Sequence, residues 1–326
     1  MAIATNTSLT YSSVAIREDL SDVIYNIAPM DTPFMSGCAK TTADNTFYEW
    51  QTDSITAGAA NRKIEGDDSI AADARVLPTR LGNYCQISQY VNQTSGTDQV
   101  MNYAGHGKHQ AYQLAKNGKR MKRDMESMLT QNIVRAAGDS TEARATAGIP
   151  AWLNTSHVAG GSGGSASAGS LGTTAMVNNT STAAASEANI KATIKECYDA
   201  GGSPDMMLVP SNVKQTISAL SQTVSELRTS ANKEAPASVV AAVDVYVSDF
   251  GTFKIVPDRN LAKDGPGSVA ANVFFLDMDF WAIAWLRPFQ TVDLAKTGDA
   301  VKQMLVAEYG LVSKNEASSG ILASVS

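Results

Sequence analysis

The apolar positions of this chain change their spacing from one segment to the next. Leu20, Val23, Ile24 and Ile27 fall at i, i+3, i+4 and i+7, one stripe of a helix, with Glu18 and Asp19 in a first turn whose dipole favours acids. Pro29 ends that pattern, and Thr32, Pro33 and Phe34 predict an extended or turned exit. Residues 47–55 (FYEWQTDSI) and 81–91 (LGNYCQISQYV) are rich in aromatic and β-branched types. The second alternates Cys85, Ile87 and Val91 against Tyr84, Ser88 and Tyr90, so both predict strands. The polar stretch between them, TAGAANRKIEGDDSIAADARVLPT, is of a length that is usually functional or disordered, and the outline is a long hairpin with a mobile tip.

From Lys108 to Ala137 no proline occurs, and Leu114, Met121, Met125, Met128 and Leu129 keep a helical period among Lys, Arg and Glu. A continuous helix there would span about 45 Å at ~1.5 Å per residue. With one apolar stripe it should lie across something, not inside it. Residues 159–175 (AGGSGGSASAGSLGTTA) hold Ala, Gly, Ser or Thr everywhere but Leu171 and predict a flexible loop. A compact module follows: a helix with Ile190, Ile194 and Cys197, the strand MMLVP at 206–210, and a helix capped by Ser211 with Val213, Ile217 and Leu220 inward. The last third reads as strands, with VDVYVSDFGTFKIV a hairpin turning at Asp249, Phe250 and Gly251, then NVFFLD, WAIAWL and KQMLVAEYGLVSK.

Composition narrows the function classes. The chain has 326 residues, 44% hydrophobic and 18% charged, enough for a sizeable core. A net charge of −6 argues against a broad phosphate-gripping face. The basic concentration at Lys116, Lys119, Arg120, Lys122 and Arg123 is too interspersed with acids for a nucleic-acid reader. Cys38, Cys85 and Cys197 match no metal or disulfide spacing and fit a reducing compartment. The opening MAIATNTSLTYSS lacks a secretory pattern and no run reaches the ~18 apolar residues of a spanning helix, so the protein is expected to be soluble, off the membrane, and to act where it is made.

Chemical motifs are weak. Gly160, Ser162 and Gly164 spell a nucleophile elbow, and Gly161, Gly163 and Ala166 a degenerate dinucleotide fingerprint, but both need a strand before and a helix after, and a Gly/Ser tract produces such spellings by composition. Tyr112 and Lys116 share a helix face without a cofactor turn. His106 and His109 lack a third metal ligand, and His157 stands alone. Glu65, Asp67 and Asp68 lack calcium-loop spacing and read as a charged loop tip. No catalytic, cofactor or metal residue is assigned.

An arm, a long hairpin, a one-sided helix, an α/β module and a return of strands make poor sense in isolation and good sense if neighbours complete the projections. In that order they resemble the α+β major capsid protein fold of tailed bacteriophages (Caudovirales type). The similar stretches are IREDLSDVIYNIAPMDTPFMS at 16–36, FYEWQTDSI at 47–55, SDFGTFKIVPDRNL at 248–261, FFLDMDFWAIAWLRPFQTVDLAKTGDA at 274–300 and VAEYGLVSKNEAS at 306–318. The resemblance implies an N-terminal arm at 1–45, an extended hairpin loop at 46–95, a peripheral domain with spine helix and Gly/Ser loop at 96–185, an axial domain at 186–298, and C-terminal strands at 299–326.

What the resemblance implies about function is a structural virion protein assembling into hexamers and pentamers of an icosahedral head around double-stranded DNA, bound without sequence specificity. Its partners would be copies of itself, a separate scaffolding protein, a portal at one vertex, and decoration or cement proteins, with assembly in the host cytoplasm. No catalytic residue, cofactor or cross-linking set comes with it. The implied assembly elements are the arm, at Arg17, Glu18, Asp19, Leu20, Val23, Ile24, Ile27, Pro29, Thr32, Pro33 and Phe34, and the hairpin with Trp50 and Glu65. On that reading, removing residues 1–36 leaves a folded core and stops shell formation. Two other readings are an encapsulin-like shell that encloses cargo enzymes, and a hydrolase using Ser162 or the acidic loop.

Overall fold

The computed structural model describes residues 31–55, 58, 60, 62, 64–66, 75–224, 244–264, 271–296 and 298–325. The arm positions Arg17 to Pro29 and the acids Asp67 and Asp68 lie outside the described residues, as does most of the hairpin's expected mobile tip. In chain order the first elements are α1 (Pro33–Gly37), β1 (Ala39–Thr42), β2 (Phe47–Thr52), β3 (Thr79–Tyr84), β4 (Gln86–Ser95), α2 (Gly96–Val100), α3 (His109–Thr130), α4 (Ile149–Trp152) and β5 (Ser156–Ala159). Then come α5 (Glu187–Asp199), β6 (Met206–Val209), α6 (Ser211–Val224), β7 (Val245–Ser248), β8 (Gly251–Pro257), β9 (Val273–Leu276), β10 (Trp281–Leu294), β11 (Ala300–Ser313) and β12 (Gly320–Ala323).

A six-stranded sheet runs β5-β12-β9-β6-β8-β7, and its central strands explain the uninterrupted apolar runs of the sequence. In β9, Val273 and Phe275 pack with Ile190 and Ile194 of α5 and Val213 and Ile217 of α6, while Phe274 and Leu276 point into the opposite core with Met121, Met125 and Leu129 of α3. β6 and β12 divide in the same way, Met207 and Leu322 to one side, Leu208 and Ile321 to the other. Strands covered on both faces lose the alternation of a half-buried strand. The helix α5 begins after Ser186, whose side chain accepts from the Asn189 N–H, a cap not singled out from the sequence.

A four-stranded sheet runs β1-β10-β11-β4, with β1 parallel to β10 and the rest antiparallel. β2 and β3 form a separate two-stranded ribbon from Phe47↔Tyr84 to Thr52↔Thr79. The expected single strand over 81–91 is therefore two. Cys85 is the break: its N–H donates to the Thr46 carbonyl (2.8 Å), and the chain passes from the ribbon into the sheet. β10 is divided internally. Its register shifts twice between Trp285 and Gln290, around Pro288, which offers the ladder no N–H. Residues 281–284 are buried and most of 287–294 is exposed.

Three local expectations are corrected. Pro33 opens α1, because a fixed φ and a missing N–H suit the first helical position. α3 stops at Thr130, whose hydroxyl donates back to the Glu126 carbonyl (3.1 Å), and its 22 residues span about 33 Å, not 45. The Gly/Ser tract is folded. Ser167 and Val177 exchange backbone hydrogen bonds, Gly163 and Ser162 accept from the N–H groups of Thr180 and Ser181, and Gly160 N–H donates to Ala323 O. Two glycines are required there. Gly172 has φ +73° with a Cβ position 2.9 Å from the Trp152 ring, and Gly161 has φ +73° with one 2.0 Å from the Ser181 carbonyl.

Candidate assembly surfaces

The arm's root is tied down within the protomer. Phe34 is fully buried, edge-on to Trp281 at 6.0 Å between centroids, and shares a cluster with Met121, Met125 and Leu129. Thr32 is 8% exposed. The expectation that removal of residues 1–36 leaves a folded core is corrected by this burial: such a cut would take out Phe34, a core anchor. A truncation that spares the core ends at residue 30.

The base of the ribbon is anchored as firmly. Tyr48 Oη donates to the Leu311 carbonyl (2.8 Å), and Trp50 Nε1 donates to the Ser313 carbonyl (2.8 Å), stacked between Tyr48 and Trp152. Asn83, fully buried, donates to Thr146 Oγ1 (3.0 Å) and the Leu311 carbonyl (2.7 Å) and accepts from Ala147 N–H (3.1 Å). Trp50 thus works as a foundation of the hairpin. Beyond these residues the loop turns its apolar groups outward: Ile55 is 99% exposed, Ile64 82% and Leu77 77%. Glu65 is exposed at a turn of the same loop.

A second outward face lies on the four-stranded sheet. Tyr90 and Thr94 of β4 turn toward α3, bonding Asp124 and Gln110 respectively. Ile87 and Val91 alternate with them and point away, 45% and 52% exposed. Val91 is in register with Met304 of β11, and Met304 with Val292 of β10, also exposed, so an apolar row crosses three strands. The inward face of β4 thus carries polar groups, for which α3 supplies partners.

Among the described residues no chemical centre forms around the motifs. Ser162 Oγ lies 3.2 Å from Ser181 Oγ in an exposed turn. His106 Nε2 and His109 Nδ1 are 3.1 Å apart beneath the rings of Tyr103 and Tyr112. Among the described residues no three His, Cys, Asp or Glu side chains are grouped to hold a metal, and no helix is long and apolar enough to cross a membrane. The sequence reading missed Glu126 and Asp258, which sit buried under the arm's root. Glu126 looks like one more charge on a charged helix, and only the Asp-Arg-Asn turn at 258–260 could have hinted at a structured site.

A body built on two sheets, a long helix across one of them, and projections that carry outward apolar residues define the shell-forming proteins of tailed-phage heads. The fold matches the capsid asymmetric unit of cyanophage A-1(L), with a TM-score of 0.67 at 13% identity over 95% of this chain and 97% of that one. It also matches the SrpI encapsulin of Synechococcus elongatus PCC 7942, with a TM-score of 0.56 at 8% identity over 96% of both chains. Sequence separates the two: the SU10 major capsid protein family model matches residues 3–326, and the chain belongs to that family. The major capsid protein of Escherichia phage Phieco32 is 27% identical over 346 residues, 96% of each chain. As a member of that family the protein is a structural component of a phage capsid shell and not an enzyme.

Proposed function

We propose that the protomer builds hexamers and pentamers of an icosahedral head by lending its arm (1–45) and extended hairpin (46–95) to neighbouring copies. The observation that carries this reading is where the exposed apolar residues sit: Ile55, Ile64 and Leu77 on the hairpin, Ile87 and Val91 at its exit. Isolated exposed apolar residues are ordinary, but a group of them on one projection marks a surface that a partner covers. The arm stripe Leu20, Val23, Ile24 and Ile27, flanked by Arg17, Glu18 and Asp19 and aimed by Pro29, Thr32 and Pro33, supplies a second such surface. Glu65 meets the neighbour at the hairpin turn, whereas Phe34 and Trp50 hold the two projections to their own body. Each contact adds a modest association energy, which a closed shell multiplies.

The same reading gives the shell its contents and helpers. Double-stranded DNA lies inside a wall whose net charge of −6 does not trap it. A separate scaffolding protein, a portal at one vertex and decoration proteins complete the head during assembly in the host cytoplasm. The test is removal of residues 1–30. The expected product is a folded protomer with an unchanged thermal unfolding midpoint that yields no closed shells by negative-stain microscopy. Normal shells from that truncation would overturn the exchange.

A further inference from the structure

The arm's root carries a contact that this assembly reading leaves unused. Glu126, fully buried on α3, reaches α1, where Phe34 N–H donates to Oε1 at 2.7 Å and Met35 N–H to Oε2 at 2.8 Å. A helix leaves its first N–H groups without internal partners, and here no side chain at the N-cap takes them. Asp258, 3% exposed, lies within hydrogen-bonding reach of Glu126 from the turn after β8. Its Oδ1 accepts from Asn260 N–H at 2.8 Å, while Oδ2 has no donor. Asn260 Nδ2 in turn donates to the Asp31 carbonyl at 2.7 Å. Residues 31–35 are thus held from two sides by groups that converge on one buried carboxyl pair.

We infer that Glu126 and Asp258 share one proton and form a latch that fixes the point where the arm leaves the body, and that losing the proton loosens it. Two carboxylates cannot both ionise at this separation without water or a cation. A proton on Glu126 gives Asp258, whose Oδ2 has no donor, a hydrogen bond between the two carboxyls. Burial pushes the Glu126 carboxyl up to about 8; Met35 and Phe34 N–H oppose the rise and the Asp258 charge adds to it. Burial also raises Asp258, with the Asp31 charge adding. From the end of α1, Cys38 faces the pair with a thiol that burial keeps neutral. The nearest cations along α3 are Lys122 and Arg123, and neither pairs with Glu126.

The direction of the pH effect follows. Glu126 binds its proton more tightly when latched than once water reaches it, when its carboxyl returns to about 4.5. The latch is strongest below about 4.5, weakens by up to about tenfold per pH unit as pH rises, and stops weakening above about 8. Residues 31–35 therefore hold the arm to one exit in acid and release it progressively toward alkaline pH.

Amide hydrogen exchange on the full chain, with the intrinsic rate divided out, tests this. Protection of Phe34 and Met35 is expected to fall by at least about tenfold between pH 5.5 and 8.5, while Met125 and Leu129 on α3 hold theirs. Asp258→Asn preserves the acceptor for Asn260 N–H and both N–H bonds into Glu126, removes the second charge and offers an amide donor to the ionised Glu126; burial still raises that carboxyl, so the fall should shrink by at least about threefold and not vanish. Glu126→Ala should lose the protection at every pH. Flat protection in the wild-type chain, or a full fall in Asp258→Asn, overturns the latch. The strap's role in assembly is tested apart: shells lost on removing residues 1–30, with flat exchange at Phe34, would keep the strap and remove the latch.

Discussion

Strands β9 and β4 make opposite uses of their side chains. β9 is buried on both faces by residues of its own chain, and its four positions VFFL are all apolar. β4 turns Tyr90 and Thr94 inward to hydrogen bonds with α3 and leaves Ile87 and Val91 outside. One strand belongs to a body that closes by itself. The other belongs to a limb whose inner face is satisfied by polar groups and whose outer face still carries apolar area. On the proposed assembly, the difference separates two outcomes: a substitution in the first region should be felt by the protomer, and one in the second by the shell.

The largest effect expected from breaking this contrast is at Phe275. It is fully buried in β9, and Phe275→Ala should cost about 3–5 kcal/mol in denaturant unfolding of the unassembled chain, through lost burial and the cavity left behind. A loss under about 1 kcal/mol would mean that the body is not self-sufficient. The joint between body and limb should respond less. Asn83→Ala strands the Ala147 N–H in the interior and removes one of the two side-chain donors to the Leu311 carbonyl, and should cost about 1–3 kcal/mol by the same measurement. Smallest is the outer face, where Val91→Ser should change stability by no more than about 0.5 kcal/mol while lowering the fraction of protein that sediments as shells. Equal sedimentation of mutant and wild type would remove Val91 from the association surface.

How far the fold could be read from the chain depended on what covers each element. The runs at 206–209 and 273–276 were legible as strands, and the stripes Ile190, Ile194 and Val213, Ile217 as helix faces, because burial by apolar neighbours leaves a period in hydrophobicity. The alternation along β4 was legible too, but not which of its faces is inward, since Tyr90 and Thr94 are satisfied by hydrogen bonds whose partners lie more than a strand's length away in sequence. The Gly/Ser tract was illegible for a related reason. Its order comes from backbone hydrogen bonds to residues 177–181 and 323, which side-chain composition does not encode. β1 and β12, four residues each, are too short to stand out from their surroundings.

For the assembly site, the resemblance located the arm and hairpin but not which residues face outward. Phe34 and Trp50 look like contact residues because they are large, apolar and next to prolines or polar turns. Both are spent on the body: one beneath Trp281, the other against the Ser313 carbonyl. Glu126 went unnoticed because a single acid on a helix rich in Lys, Arg and Glu carries no sign of burial, and the partner that makes it special lies 132 positions on, at Asp258.

The order of strands in the two sheets also bears on how the protein is made. β12, formed by residues 320–323, sits between β5 and β9, and β11, residues 300–313, sits between β10 and β4. Both sheets therefore have a gap at an interior position until residues 300–323 have been made. A nascent chain can display the arm and hairpin early, but it has no finished body to which a neighbour's projection could bind. Protomers should therefore be competent for assembly only once residues 300–323 have been made, and a chain that stops before residue 320 would leave the six-stranded sheet open between β5 and β9.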